Sequence, residues 1–322
     1  MKKEYPELES LSDFIISDVP KVIVDDVTIS DHAEYVVDIK RLKAQGLQVN
    51  DIVGMRDGKI VITGRNLNIS HIAVIDRRGE ILQQKNICYS CSGHGTTHCC
   101  YLSEFKVIAV FDDEIITWDV RDGSCKKKKM RDTISCWVLG MKAISVTTDP
   151  DNNHIFVGTN SKYVYELDDQ LTYRHTITLP LTLLYGNMLV MNRAVTLSVH
   201  KRNLLVLDHN GKKAYAVTTG EANGNVIYAF KKPDCVVRNV WRNDWRPVDV
   251  CTDMNMFIYM LWNNTVKCVL TQYSQDGRKL LNTKSLDMIC NLLTTLKEDG
   301  EDKLVIESSD TQRLYIYGLN MT

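Results

Sequence analysis

The sequence lacks any long hydrophobic run. No apolar stretch approaches the roughly 18 residues that a membrane-spanning helix needs. The N-terminal segment MKKEYPELESLSDF also contains no apolar core of the kind found in secretory signals. These absences predict a cytoplasmic protein without a membrane partner. In a reducing compartment the ten cysteines are expected to be free thiols, mostly buried as small apolar side chains.

The sequence also lacks an excess of charge of either sign. It contains 39 Lys and Arg against 40 Asp and Glu, for a formal net charge of -1. No overall electrostatic attraction to nucleic acid or to an anionic membrane is therefore expected, and any anion-binding site must come from a local cluster. Hydrophobic residues make up 44% of the 322 residues, which is enough to form a large core.

Recognisable catalytic motifs are missing as well. The chain has no glycine-rich phosphate loop, no G-x-S-x-G nucleophile turn and no H-E-x-x-H pair. Long runs with helical periodicity are also few. These features predict a protein that is not an enzyme, needs no cofactor, and consists mainly of β-strands.

The stretch from residue 57 to residue 84 shows what kind of β-structure is present. Asp57-Gly58 and Asp76–Gly79 are turn sequences, and they enclose the β-branched runs Lys59–Thr63 and His71–Ile75. A third run begins at Glu80. The stretch therefore predicts three consecutive antiparallel strands.

The same unit recurs six times along the chain. The successive copies end at Asp76, Asp119, Asp168, Asp208, Tyr273 and Gly318, at intervals of 43, 49, 40, 65 and 45 residues. Intervals of this size, filled with strands and turns, are typical of propeller blades with four strands each. We interpret the longest interval as one blade with an insertion of about 20 residues. The predicted fold is an all-β, six-bladed propeller of four-stranded antiparallel blades.

The sixth copy is one strand short, because the chain ends five residues after Tyr317. An incomplete blade would leave an open sheet edge, so we expect an N-terminal strand to complete it. Glu34–Leu42 is the favoured segment and Lys21–Ile29 is the alternative. The predicted organisation is an N-terminal extension at residues 1–33 and a single propeller at residues 34–322.

The first blade, QVNDIVGMRDGKIVIT followed by HIAVIDRRGEIL, resembles the NHL-type propellers of the tripartite-motif (RING, B-box and coiled-coil) proteins. His71 stands where the NHL pattern has an arginine before the third strand, whereas Arg202 and Arg313 fit the pattern in later copies. The resemblance implies a recognition domain of WD-repeat-like architecture, such as the substrate-recognition domain of a ubiquitin-ligase-like protein. It also implies an alternative function, since RNA binding is known among NHL-type propellers.

The segment WRNDWR is the favoured partner-binding site. Trp and Arg are enriched at the energetic centres of protein interfaces, and two of each within six mostly polar residues are hard to bury completely. We therefore predict that a protein or peptide contacts Trp241, Arg242, Trp245 and Arg246. The competing interpretation is that both indoles pack under the loop. The propeller itself is expected to be monomeric.

A basic run provides a second candidate site. Lys126, Lys127, Lys128 and Lys129, with Arg131 beyond them, suggest a patch for phosphate, RNA or an acidic peptide. The competing interpretation is a solvated edge strand, because lysines at a sheet edge discourage pairing with other chains.

Two metal sites are weaker alternatives. Cys88, Cys91, His94 and His98 are zinc-ligand types at short spacing, although all four lie in one stretch between two predicted blades. A calcium-dependent hydrolase of the lactonase kind would instead need carboxylates and amides converging from several blades. The candidates for that set are Asp57, Asp112, Asp113, Asn153 and Asn187.

Overall fold

The computed structural model describes residues 27–40, 42, 47–66, 69–88, 97–103, 105–111, 113–137, 141–149, 151–179, 195–200, 203–208, 212–219, 224–230, 233, 245–264 and 267–321. These residues form twenty-five strands in six antiparallel sheets. The prediction of an all-β, six-bladed propeller with four-stranded blades is therefore confirmed. In the described ranges no helix is both long and apolar enough to cross a bilayer.

The strands follow one another along the chain, with the innermost strand of each blade first. Two short N-terminal strands come first, β1 (Val27–Ile29) and β2 (Tyr35–Asp38). The first blade contains β3 (Gln48–Gly54), β4 (Ile60–Asn66), β5 (Ile69–Ile75) and β6 (Ile81–Cys88). The second contains β7 (Thr97–Ser103), β8 (Lys106–Phe111), β9 (Glu114–Asp119) and β10 (Cys125–Lys129), and is followed by helix α1 (Met130–Thr133). The third contains β11 (Ala143–Thr148), β12 (Ile155–Thr159), β13 (Tyr163–Leu167) and β14 (Tyr173–Thr178).

The remaining three blades have the same order. The fourth contains β15 (Val195–His200), β16 (Asn203–Asp208), β17 (Lys213–Thr218) and β18 (Val226–Ala229). The fifth contains β19 (Arg246–Thr252), β20 (Ile258–Asn263), β21 (Cys268–Tyr273) and β22 (Leu280–Leu286). The sixth contains β23 (Cys290–Glu298), β24 (Glu301–Ser308) and β25 (Arg313–Met321), completed by β1 and β2.

The core lies between neighbouring blades. Middle strands such as β12 (IFVGT) are buried at every position, because another blade packs on each of their two faces. The outer strand β10, in contrast, is buried at none of its positions. Burial on both faces requires nearly continuous apolar runs, and those runs are the recurring feature of the sequence.

Both N-terminal segments close the ring. Strand β25 pairs with β24 on one side, while its other side pairs with β1 through Val27↔Met321 and with β2 through Asp38↔Arg313. The prediction of N-terminal closure is thus confirmed, and the two competing segments share the role. The predicted boundary between residues 33 and 34 falls between β1 and β2.

The seam between the last and first blades is tightly packed. A Cβ atom on Gly54 would clash with the carbonyl oxygen of Thr295 in β23. The amide of Gly54 donates to Thr294 Oγ1 at 3.2 Å. Glycine is therefore required at this position so that β3 and β23 can approach each other.

Ring closure gives a direct stability prediction for β2. The side chain of Val37 is 1% exposed and packs with Ile316 and Leu314, whereas its neighbour Val36 is 44% exposed. We expect Val37→Ala to lower the free energy of unfolding by about 2 kcal/mol, since it leaves a cavity beside β25. Val36→Ala is the matched control, with an expected change within about 0.5 kcal/mol. Urea unfolding measures both, and equal effects would contradict the closure.

Candidate functional site

The inner strands of all six blades surround a central channel. Its cavity has a volume of about 630 Å³ and is lined by residues from β3, β7, β11, β15, β19 and β23. Inner strands converge on the axis in any propeller, but here several of the lining side chains are ionisable. The channel is therefore the first candidate site.

Asp51 and His98 form a polar pair on the channel wall. His98 Nδ1 lies 3.3 Å from Asp51 Oδ2, and both side chains are largely shielded from solvent. The same Oδ2 accepts a hydrogen bond from the amide of Cys99 at 2.8 Å. Oδ1 accepts from the amide of Ile52 at 2.8 Å. The Asp51 carboxylate thus joins the inner strands of the first and second blades.

Asp249 repeats this arrangement between the fifth and sixth blades. Its Oδ1 accepts from the amide of Val250 at 2.8 Å, and its Oδ2 accepts from the amide of Leu293 at 2.6 Å. Burial, followed by the negative charge of Asp51, raises the pKa of the Asp249 carboxyl well above its usual range. Both carboxyl groups therefore link the inner strands of neighbouring blades.

The channel opens on the face that carries the turns between the first and second strands of the blades. We call the residues around this opening the channel mouth: Arg56, Tyr101, Met254, Lys297 and Asp302. The guanidinium carbon of Arg56 lies 5.6 Å from the centre of the Tyr101 ring, a cation–π distance. Met254 is 55% exposed, the highest value among the large hydrophobic side chains in the described ranges. The mouth thus combines an exposed apolar side chain with a stacked cation.

The turn that presents Met254 is held rigidly. The amide of Met254 donates to Asp302 Oδ2 at 3.0 Å. In the same turn Asp253 accepts from the amide of Phe257 and from the hydroxyl of Tyr259, both at 2.9 Å. Burial raises the pKa of Asp253 to about 6 and raises the pKa of Asp302. The exposed Met254 therefore stands on a turn that is already ordered before a partner binds.

The predicted partner-binding segment is divided by the structure. Trp245 is 5% exposed and packs with Phe230, Trp262 and Tyr273 in the core between the fourth and fifth blades. Its indole is thus a core side chain and is not available to a partner, which is a correction of the prediction. Arg246 begins β19 and is exposed. Trp241 and Arg242 lie outside the described residues, so their contact with a partner stays a prediction.

The predicted basic residues are brought together on one edge strand. Lys126, Lys127, Lys128 and Lys129 occupy the outermost strand of the second blade, β10, and all four are exposed. Arg131 follows in α1 and is also exposed. This cluster lies on the rim of the disc, because β10 is the strand of its blade that is farthest from the channel axis.

Among the residues of the two predicted metal sites, only some lie in the part of the chain that the structure describes, and those are not brought together. His98 contacts Asp51 in the channel, while Cys91, His94 and the side chain of Cys88 lie outside the described residues. Asp57 and Asn153 lie in turns on the mouth face, whereas Asp113 lies in the β8–β9 turn on the opposite face. Asp112 and Asn187 are outside the described residues. Across the described ranges, no group of three His, Cys, Asp or Glu side chains is arranged to hold a metal ion.

Sequence reasoning missed the two channel aspartates, although a signal was present. In both NDIV of β3 and VDVC of β19 an aspartate precedes two apolar residues. Both strands also have a register irregularity immediately before the aspartate, between Val49 and Asp51 and between Pro247 and Asp249. The carboxyl group of each aspartate accepts an amide hydrogen bond from the next inner strand.

Comparisons with known proteins show the fold. No family model and no curated protein matches this chain. Among solved structures, the β-propeller domain of Cps50 (Swd1) from Myceliophteria thermophila matches with a TM-score of 0.54 at 9% identity, over 92% of this chain and 100% of that domain. A protein of unknown function from Bacteroides caccae matches with 0.55 at 12% identity, over 78% and 82%. The WD40 repeats of RRP9 match with 0.61 at 11% identity, over 91% and 100%.

The chain is therefore a six-bladed propeller whose structural neighbours include WD40-repeat propellers. The more specific resemblance to NHL-type propellers of tripartite-motif proteins stays a prediction.

The burial of Trp245 predicts a large effect on stability. We expect Trp245→Ala to lower the free energy of unfolding by about 3–5 kcal/mol, because it empties a large volume between two blades. Lys279→Ala changes an exposed side chain of the same blade and serves as the control, with little expected change. Urea denaturation compares the two variants. A stable Trp245→Ala protein would contradict the core assignment.

The raised pKa of Asp253 predicts a pH dependence of stability. The folded state holds the carboxyl proton up to about pH 6, whereas the unfolded chain releases it near pH 4. The stabilisation is therefore complete below about pH 4 and is lost as the pH rises through 6. Between about pH 4 and pH 6 the free energy of unfolding of the wild type should therefore fall by about 2–3 kcal/mol because of this group. We expect Asp253→Asn to lack this part of the fall.

The control for this measurement is Asp299→Asn, in the neighbouring β23–β24 turn. Asp299 is exposed, so the control should follow the wild-type pH profile of the urea midpoint. A wild-type profile in Asp253→Asn would show that this carboxyl group does not retain its proton in the folded state.

Proposed function

We propose that this protein is a non-enzymatic interaction scaffold that binds a protein segment at the channel mouth. The observation that carries the proposal is the exposed side chain of Met254 on an ordered turn, beside Arg56 and Tyr101. Because the backbone of this turn is already ordered, little backbone entropy is lost when a partner covers the Met254 side chain. Arg56 adds a charge that favours a partner carboxylate nearby.

The fold supports the same conclusion. A propeller is a rigid ring whose turns are free to differ, and binding residues are carried on turns held by such a frame. WD40-repeat propellers are among the solved structures that this chain is similar to. A narrower role, recognition of substrates for a ubiquitin-ligase-like protein, rests only on the resemblance of the first blade to NHL-type propellers.

RNA binding is the second candidate function, and one observation favours it. The four lysines of β10 and Arg131 form an exposed basic cluster. Such a cluster would attract the phosphates of single-stranded RNA, with an affinity that falls steeply as salt is raised.

A pull-down from lysate of the source cells tests the proposal. The immobilised protein is compared with Met254→Asp and Arg56→Glu, with and without ribonuclease, and bound proteins are identified. We expect the mouth variants to lose most of the specific partners that remain after ribonuclease, since each places a charge against the docked segment. Full retention of those partners by both variants would contradict binding at the mouth.

The matched control is Ile289→Asp. Ile289 is 37% exposed and follows β22 on the opposite face of the disc. This variant also introduces a charge at an exposed apolar position, but it does so away from the channel mouth. It should therefore retain the partners. Loss of bound material with ribonuclease alone, in every variant, would favour RNA binding instead.

A further inference from the structure

Strand β10 presents an open sheet edge with an unusual charge. It is the last strand of the second blade, and among the described strands only β9 pairs with it. Its four lysines are all exposed. The described outer strands of the first, third and fifth blades carry one Lys or Arg each, and β18 carries none. The fold itself therefore does not require this concentration of positive charge.

The lysines project to both sides of the blade. Lys127 is opposite Ile116, which packs between the first and second blades, while Lys128 is opposite Ile115, which packs between the second and third. Directly opposed residues share one face of a sheet. Successive lysines therefore alternate between the two faces, and the open backbone edge runs between two rows of positive charge.

Two of the four lysines have structural partners. Lys127 Nζ lies 2.5 Å from Glu114 Oε2. Lys128 Nζ donates to the carbonyl of Gln170 in the third blade at 3.3 Å. Lys85 on β6 makes a similar contact with the carbonyl of Gly123 in the next blade at 3.1 Å. Lys128 is thus explained by contacts between blades.

Lys126 and Lys129 are not explained in this way. The described part of the structure gives neither ammonium group a hydrogen bond or an ion pair. The other described outer strands carry at most one Lys or Arg, so protection of a sheet edge in this fold does not need four lysines. These two residues, one on each face of the strand, are therefore the positions where charge is available to a ligand.

We propose that β10 binds an extended acidic segment of a partner protein, which adds to the second blade as a fifth strand. Alternate amides and carbonyls of β10 point away from β9 and would complete the ladder. Carboxylates on the two sides of the added strand would meet Lys126 and Lys129. The open row of backbone amides and carbonyls favours a peptide over RNA, because RNA cannot extend a β-ladder. This rim site is separate from the channel mouth.

The test uses the whole chain and a short fluorescent peptide of alternating Glu and Thr with blocked termini. Fluorescence anisotropy measures its affinity for the wild type and for Lys126→Glu/Lys129→Glu. We expect the double variant to bind at least about tenfold more weakly. Lys267→Glu/Lys279→Glu reverses two exposed charges on the fifth blade and should bind as the wild type does. Circular dichroism confirms that both variants are folded.

Two further probes separate strand addition from simple charge attraction. A peptide of the same sequence with alternate amides N-methylated keeps its carboxylates but cannot complete the ladder, so we expect it to bind at least about tenfold more weakly. Hydrogen exchange of the amides in residues 125–129 should slow when the unmodified peptide binds. A short oligouridylate provides the nucleic-acid arm.

The outcomes decide the proposal. Weakening by the β10 variant and by N-methylation, together with slowed exchange in β10, supports it. The proposal is wrong if the wild type does not bind the peptide, or if the β10 variant binds it equally well. Equal binding of the N-methylated peptide would exclude strand addition. Tighter binding of oligouridylate that displaces the peptide would assign the site to RNA.

Discussion

The pairing of β25 with β1 and β2 is the contact on which the rest of the structure depends. Each blade covers the apolar faces of two neighbours, so the ring is stable only if the sixth blade is complete. That blade contains strands from the two ends of the described chain. Its inner strand lies so close to the first blade that no side chain would fit at position 54, where the chain has glycine. Ring closure thus holds the inner strands around the channel.

Polar contacts between blades add to the apolar packing. Asp51 and Asp249 each accept a hydrogen bond from an amide of the neighbouring inner strand. Near the rim, Lys85 and Lys128 donate hydrogen bonds to backbone carbonyls of the next blade. These contacts account for several residues that look functional in isolation. A buried carboxyl group in a channel suggests catalysis, and a lysine on an edge strand suggests anion binding, yet each first satisfies backbone groups of another blade.

The two proposed binding sites use what these contacts leave available. At the channel mouth, Met254 is exposed although the turn beneath it is ordered by Asp253 and Asp302. On the rim, Lys126 and Lys129 remain after Lys127 and Lys128 have been paired. One site is at the axis and the other at the edge, so a single rigid ring offers room for two partners at once. This separation of the two sites agrees with the proposed role as an interaction scaffold.

The sequence by itself determined the number of blades, their strands and the need for an N-terminal closing strand. Middle strands buried on both faces must be apolar runs between turns, and this pattern is local. Only the tertiary structure decided that the indole of Trp245 is buried, that His98 meets Asp51, and that Met254 stands at the channel mouth. Trp245 and Arg246 are neighbours in sequence, but one packs against Phe230 and Trp262 while the other is exposed. Such outcomes depend on contacts between blades that are distant along the chain, and no local pattern records them.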